Sequence, residues 1–209
     1  MTRIKPSVDR LLYFTDAMVA IAATLLVLPL VDEASAFRVE HPDATAAGFL
    51  TQEWASLLAF GISFAVIARL WVTHHRLFTP VRELDGTLVT LDMLWAFTLV
   101  FLPLPTQMTA LYDNAPSTVA LYIGTMLASS LLLMGVVVHV RRTPELATTA
   151  PPLAGTVATT ILFAVAFVLG TISSSYLPLL LLLLDGVLTR ALRPRFDPHY
   201  DDDSPATAE

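Results

Sequence analysis

The chain is predicted to be an all-α integral membrane protein with six transmembrane helices. Three observations carry this reading. Of its 209 residues, 55% are hydrophobic and only 14% charged, whereas soluble domains run near 25% charged. Apolar stretches of about 20 residues, the length that crosses a hydrocarbon core, recur along nearly the whole chain. Basic residues gather at alternate connections between those stretches. No loop is long enough to fold as a soluble domain, so whatever the protein does takes place within or across the membrane, and a soluble enzyme is excluded.

The first span is read over 11–31. The run from Arg10 to Leu30 is apolar enough to cross a bilayer, yet it holds Asp16. An ionisable group at a membrane helix centre costs roughly 2.5–3.5 kcal/mol on insertion scales, so it normally faces protein or water and marks a functional position. A basic start, the apolar run and Ala34-Ser35-Ala36 imitate a cleavable secretory signal. Asp9 and Asp16 break that pattern, and the run is long enough to stay as a membrane helix. Pro29 should kink or end the helix near its top.

The second span is read over 54–73 and the third over 87–111, where Pro103 and Pro105 should kink or end the outer half. The fourth and fifth follow at 118–140 and 153–175, and a leucine-rich sixth at 176–192 carries Asp185 in its middle. Residues 1–195 thus form one six-helix unit. Residues 196–209 hold Asp197, Asp201, Asp202, Asp203 and Glu209 among Pro, Ser and Thr, the composition of a disordered acidic tail.

Orientation follows from the bias of Lys and Arg toward the cytoplasm. Arg3, Lys5 and Arg10 precede the first span; Arg69, Arg76 and Arg82 surround the turn after the second; Arg141 and Arg142 follow the fourth; Arg190, Arg193 and Arg195 follow the sixth. Only Arg38 falls on the other side. Both termini are therefore expected in the cytoplasm, which requires an even number of spans. The outer connections include a short turn at Asp113 to Pro116 and a longer acidic stretch with Asp32, Glu33, Glu40, Asp43 and Glu53. That stretch would concentrate cations at an outer mouth, or it is simply a solvated loop. The net charge of −6 suits no nucleic-acid partner, and without cysteine there are no disulfides, thiol chemistry or sulfur-bound metals.

Ala17, Ile21, Thr24 and Leu28 share one stripe of the first helix. Copies of such a stripe around an axis would form rings: apolar rings gate by dewetting, and hydroxyl rings offer oxygen to a partly dehydrated cation. The spacing by itself fits better a lipid-facing or core stripe whose threonine bonds its own backbone. Asp16 lies about 140° around the helix from Ile21, away from such an axis, which suits an anchor. Arg10, Asp16, Arg69, His74, His75 and Asp92 are all expected near the cytoplasmic ends of the first three spans. They form a network, or the arginines snorkel to the interface and the histidines make an ordinary interfacial pair. Asp185 shows no partner in sequence and is open to proton relay or structural hydrogen bonding. No potassium-filter, P-loop or zinc-helix motif and no voltage-sensor arginine array is present.

Arg10, Phe14, Thr15 and Asp16, followed by Ile21, Thr24 and Leu28, resemble the first-helix signature of the bacterial branch of the transmembrane protein 175 family, relatives of the lysosomal potassium channel. That signature is R-x-x-x-F-S-D with apolar and threonine positions after it; Thr15 here replaces the usual serine and keeps the hydroxyl. The likeness continues through Trp71, His74, His75 and Phe78, then Asp92, where relatives commonly carry asparagine, and Leu102-Pro103-Leu104-Pro105-Thr106. Beyond the first half it rests on helix pattern alone.

The resemblance implies a homotetrameric, potassium-preferring cation channel of the bacterial plasma membrane, conducting passively, with helix 1 of each subunit lining a central pore. By motif position Ile21 would be the hydrophobic constriction, Leu28 a further apolar ring, and Thr24 a selectivity ring with transient potassium beside it. Arg10, Phe14, Thr15, Asp16, His74 and His75 would anchor helix 1. No catalytic residue, cofactor or fixed metal is implied; potassium, other monovalent cations and the bilayer are the expected partners. The alternative is a proton-coupled secondary transporter using Asp16, Asp92, Asp185 and the histidine pair, against which stands the lack of an inverted repeat.

Overall fold

The computed structural model describes residues 7–112 and 115–198. Arg3, Lys5, Asp113 and the acidic residues from 199 onward lie outside them. Helix α1 (Val8–Leu25) starts at Ser7, whose side chain accepts from the Arg10 amide. It breaks at Leu26 and Val27, and α2 (Leu28–Glu40) begins with Pro29 in its first turn. The missing proline N–H costs nothing there. The acidic outer stretch is largely helical: α2 runs on to Glu40, and a short α3 (Ala46–Gln52) is capped by Thr45.

Helix α4 (Trp54–Phe78) carries both His74 and His75 within its last turns. Helix α5 (Gly86–Phe101) is capped by Asp85, and α6 (Pro103–Leu111) starts after a break at Leu102, as the two prolines require. Helix α7 (Pro116–Arg142) leads through a 3₁₀ turn at Pro144–Leu146 to α8 (Ala154–Ser173). Among the described residues, five stretches are long and apolar enough to cross a membrane: Val8–Glu40, Trp54–Phe78, Gly86–Thr109, Pro116–Arg142 and Ala154–Ser173.

The sixth stretch differs from expectation. Residues Leu177–Leu184 form 3₁₀ turns, and only Asp185–Phe196 (α9) is α-helical. Pro178 withholds a backbone donor at the start, and α9 carries Asp185, Arg190, Arg193, Pro194 and Arg195, so no uniform apolar α-helix spans this stretch. The chain enters it by a tight turn at Ser174, whose φ of 49° is left-handed. Gly170 makes that turn possible: a Cβ there would sit 2.7 Å from Ile123 Cδ1 and 3.0 Å from the Ser175 carbonyl oxygen.

Helix α7 is the spine. Its buried Val119, Ile123, Met126, Leu133 and Val137 meet Trp95 and Leu99 of α5 and Phe163 and Ala166 of α8. Small and hydroxylic residues let α7 and α8 approach closely, and the Ser130 and Thr160 hydroxyls lie 2.7 Å apart between them. At the arginine-rich end, Leu11, Phe78, Val81, Leu88, Val136, Val140 and Leu146 form a second cluster. An isolated bridge between Val81 and Ala147 ties the two connections there. Asp197, grouped with the tail on composition, is instead 5% exposed. It pairs with Arg141 and accepts from the Leu153 and Ala154 amides, closing the N-terminus of α8.

Candidate functional site

Helix α1 has two unlike faces. Leu11, Thr15, Val19 and Ala22 are buried against the subunit body. On the other side Ile21 is 58% and Leu28 52% exposed, and Thr24 is exposed between them. The Thr24 hydroxyl donates to the Ile21 carbonyl at 2.8 Å, which leaves its oxygen lone pairs free to face outward. The stripe read from spacing is therefore bare on the single subunit, with Leu28 just beyond the break that ends α1.

Two consecutive residues hold the opposite side. Thr15 Oγ1 donates to Asp92 Oδ2 on α5 at 2.7 Å, with the Leu11 carbonyl 3.0 Å away. Asp92 Oδ1 lies 2.6 Å from His74 Nε2 on α4. The His74 ring stacks on Trp95 with centroids 4.0 Å apart and planes 2° from parallel, and Phe78 closes it from a second side. Thr15, His74 and Asp92 are sealed from solvent. Asp16, one residue on, accepts from Trp71 Nε1 at 2.7 Å. Successive residues project about 100° apart on a helix, so Thr15 reaches α5 while Asp16 reaches α4.

Among the residues expected to anchor α1, the structure joins Thr15, Asp16 and His74 to partners. His75 is exposed and, among the described residues, its ring meets the Trp71 ring at 5.9 Å. Arg10 and Phe14 are exposed on the subunit surface and stand outside this set of bonds. Asp92, expected at this end together with Asp16 and His74, belongs to it, and so does Trp71, for which no anchoring role is expected from the sequence. A buried carboxylate needs a donor, and that need is the sequence signal for Asp92.

Asp185 does have partners: Arg69 Nη2 at 2.5 Å and Thr159 Oγ1 at 2.5 Å. Arg69 thus reaches across to α9 while staying exposed. At the arginine-rich end, Asp85 Oδ2 lies 2.7 Å from His139 Nε2 on α7. Burial pushes the Asp85 carboxyl up, but the Leu88 and Thr87 amides and His139 more than offset this and hold it below its ordinary range. Among the described residues no group of three His, Cys, Asp or Glu side chains could hold a metal ion.

Apolar helices of membrane-crossing length, with one of them fastened on one side and bare on the other, place the chain among multi-pass membrane proteins, and its first half is similar to a family of ion channels. The family model described as endosomal/lysosomal potassium channel TMEM175 matches residues 10–103. A potassium channel of Streptomyces collinus is 33% identical over 141 residues, 64% of either chain. One of Chamaesiphon minutus is 33% identical over 122 residues, 57% of this chain and 59% of the relative. The human endosomal/lysosomal proton channel TMEM175 is 27% identical over 63% of this chain and 26% of its own length. The matched stretch therefore takes in about 60% of the length of the two bacterial relatives. The fold is similar to the crystal structure of a lysosomal potassium-selective channel TMEM175 homolog from Chamaesiphon minutus, with TM-score 0.65 and 28% identity over 90% of this chain and 98% of that one.

Over residues 10–103 the chain is thus similar to the TMEM175 family.

Proposed function

We propose that the chain is one subunit of a homotetrameric, potassium-preferring cation channel in which α1 of each copy lines a central pore. The observation that carries this reading is the bare row of Ile21, Thr24 and Leu28 on a helix locked into its own subunit by Thr15 and Asp16. Relatives named as potassium channels, across bacterial lineages, support it. Ile21 is the dewetting constriction, Leu28 a second apolar ring, and Thr24 the hydroxyl ring at which potassium pauses. Movement of α1 opens the path, and conduction is passive and needs no cofactor.

The leucine-rich stretch with α9 serves as a sixth span. Eight residues rising about 2.0 Å each and twelve rising about 1.5 Å reach about 34 Å, more than a hydrocarbon core of about 30 Å. Six spans return both termini to one side, and the basic residues assign that side to the cytoplasm of a plasma membrane. Contacts that bring Arg141 to Asp197 and the 79–82 turn to Leu146 and Thr148 support a shared basic end.

The test is paired. Ile21→Asn places a polar ring at the constriction and should raise leak current severalfold while lowering preference for potassium over sodium. Asp16→Asn weakens the acceptor for Trp71 and should mainly lower the yield of assembled protein, leaving ion preference unchanged. Reconstituted single-channel recording in potassium and sodium gradients reads both. Equal behaviour of the two variants, or saturable flux locked to a pH gradient in the wild type, would overturn the assignment.

A further inference from the structure

Between α4, the start of α8, and α9 lies a cavity of about 950 Å³ at the arginine-rich end of the molecule. Its size is that of a small-ligand site, and its wall is unlike the rest of this apolar body. Arg69, Arg76 and Arg193 line it, together with Thr73 and Thr189. Two carboxylates share the wall, and both are already occupied. Asp185 is held by Arg69 and Thr159; Asp197 is held by Arg141 and by the Leu153 and Ala154 amides.

Two groups remain without partners among the described residues. Arg76 forms no ion pair there. The Thr189 hydroxyl oxygen is buried with no hydrogen-bond partner, which is unfavourable unless something supplies one. An arginine fork and a threonine hydroxyl on residues lining one space, with neighbouring arginines and no uncompensated carboxylate, match the oxygens of a phosphate group. Basic pockets between membrane helices on the cytoplasmic side are suited to anionic headgroups.

We propose that this cavity is a binding site for a phosphate-bearing anion, gripped by Arg76 with the Thr189 hydroxyl beside it. Such a ligand would bridge α4 to α8 and α9, where the Arg69–Asp185 pair is a direct tie. Such binding is separate from ion conduction and is measurable without current.

The experiment titrates the purified full-length protein, in uncharged detergent, with dioctanoyl phosphatidylglycerol and separately with glycerol 3-phosphate, following binding by native mass spectrometry and calorimetry. We expect saturable binding of the lipid, weakened about tenfold or more by Arg76→Gln, the loss of one charged hydrogen-bonding group. Arg142→Gln, at an exposed arginine outside the cavity wall, should stay within about twofold of wild type. Thermal melts of both variants check that the fold is kept. Lipid binding alone assigns a headgroup as the source; binding of both ligands, lost together in Arg76→Gln, assigns soluble phosphate compounds as well. No saturable binding of either, unchanged affinity in Arg76→Gln, or equal loss in the two variants would overturn the proposal.

Discussion

At residue scale, Asp92 does the most with one side chain, since its two oxygens join α1 to α4 through α5. Nothing else in that enclosure can replace it: His74 is walled by Trp95 and Phe78, and Thr15 has no other side-chain partner. Removing Asp92 leaves a buried imidazole nitrogen without its partner, at a cost of about 1–3 kcal/mol. Asp92→Ala should therefore lower stability by about that amount, measured by thermal unfolding in detergent, and reduce assembled protein. Asp92→Asn should cost clearly less, because an amide can accept from Thr15 and donate to a suitable His74 tautomer.

At element scale, two polar ties decide where helix ends sit. Asp85 caps α5 and faces His139 near the end of α7. Its carboxyl titrates below its ordinary value in the fold, so the stability it contributes is complete above the unfolded value, about 3.9, and is lost as pH falls through the lowered one. Asp85→Asn keeps a capping acceptor for the Leu88 amide but removes the charge. Melts taken from about pH 6 down to about pH 3 should show a shallower acid loss in this variant than in wild type. The second tie is Asp197, which ends the fold by capping α8 and holding Arg141. Asp197→Ala removes the acceptor of two amides and the carboxylate facing Arg141, whose guanidinium keeps the Pro151 and Phe196 carbonyls, and should cost about 1–3 kcal/mol, with faster proteolysis after Ala147 as the α8 start loosens.

At the scale of the whole molecule, the informative fact is what α1 leaves uncovered. Most exposed apolar residues of this chain, such as Ile172 at 79%, suit lipid. Ile21 differs because it shares a stripe with a hydroxyl on a helix pinned from behind. The chain contains no cysteine, so single replacements are clean reporters. Ile21→Cys should form covalent dimers under mild oxidation if copies of α1 stand side by side, since a disulfide needs Cα atoms within about 7 Å. Ile172→Cys should remain monomeric on the same gel. Absence of dimers at position 21, with the protein otherwise assembled, would remove the central pore.

Much was legible from the chain alone because the signals are local. Five of the apolar lengths read as spans, the breaks at Pro29 and Pro103, and the stripe through Ile21 and Thr24 depend on hydropathy and helix period over a few turns. What only the tertiary structure decided was pairing: Thr15 with Asp92, Asp16 with Trp71, Asp185 with Arg69, and the burial of Asp197. It also decided that eight leucine-rich residues would wind as 3₁₀ turns. Composition marks each of these polar groups as needing a partner in an apolar setting, but a partner 55 or 77 residues away is chosen by helix packing, because the cost of burial is local while its compensation comes from whichever neighbour the fold brings within reach.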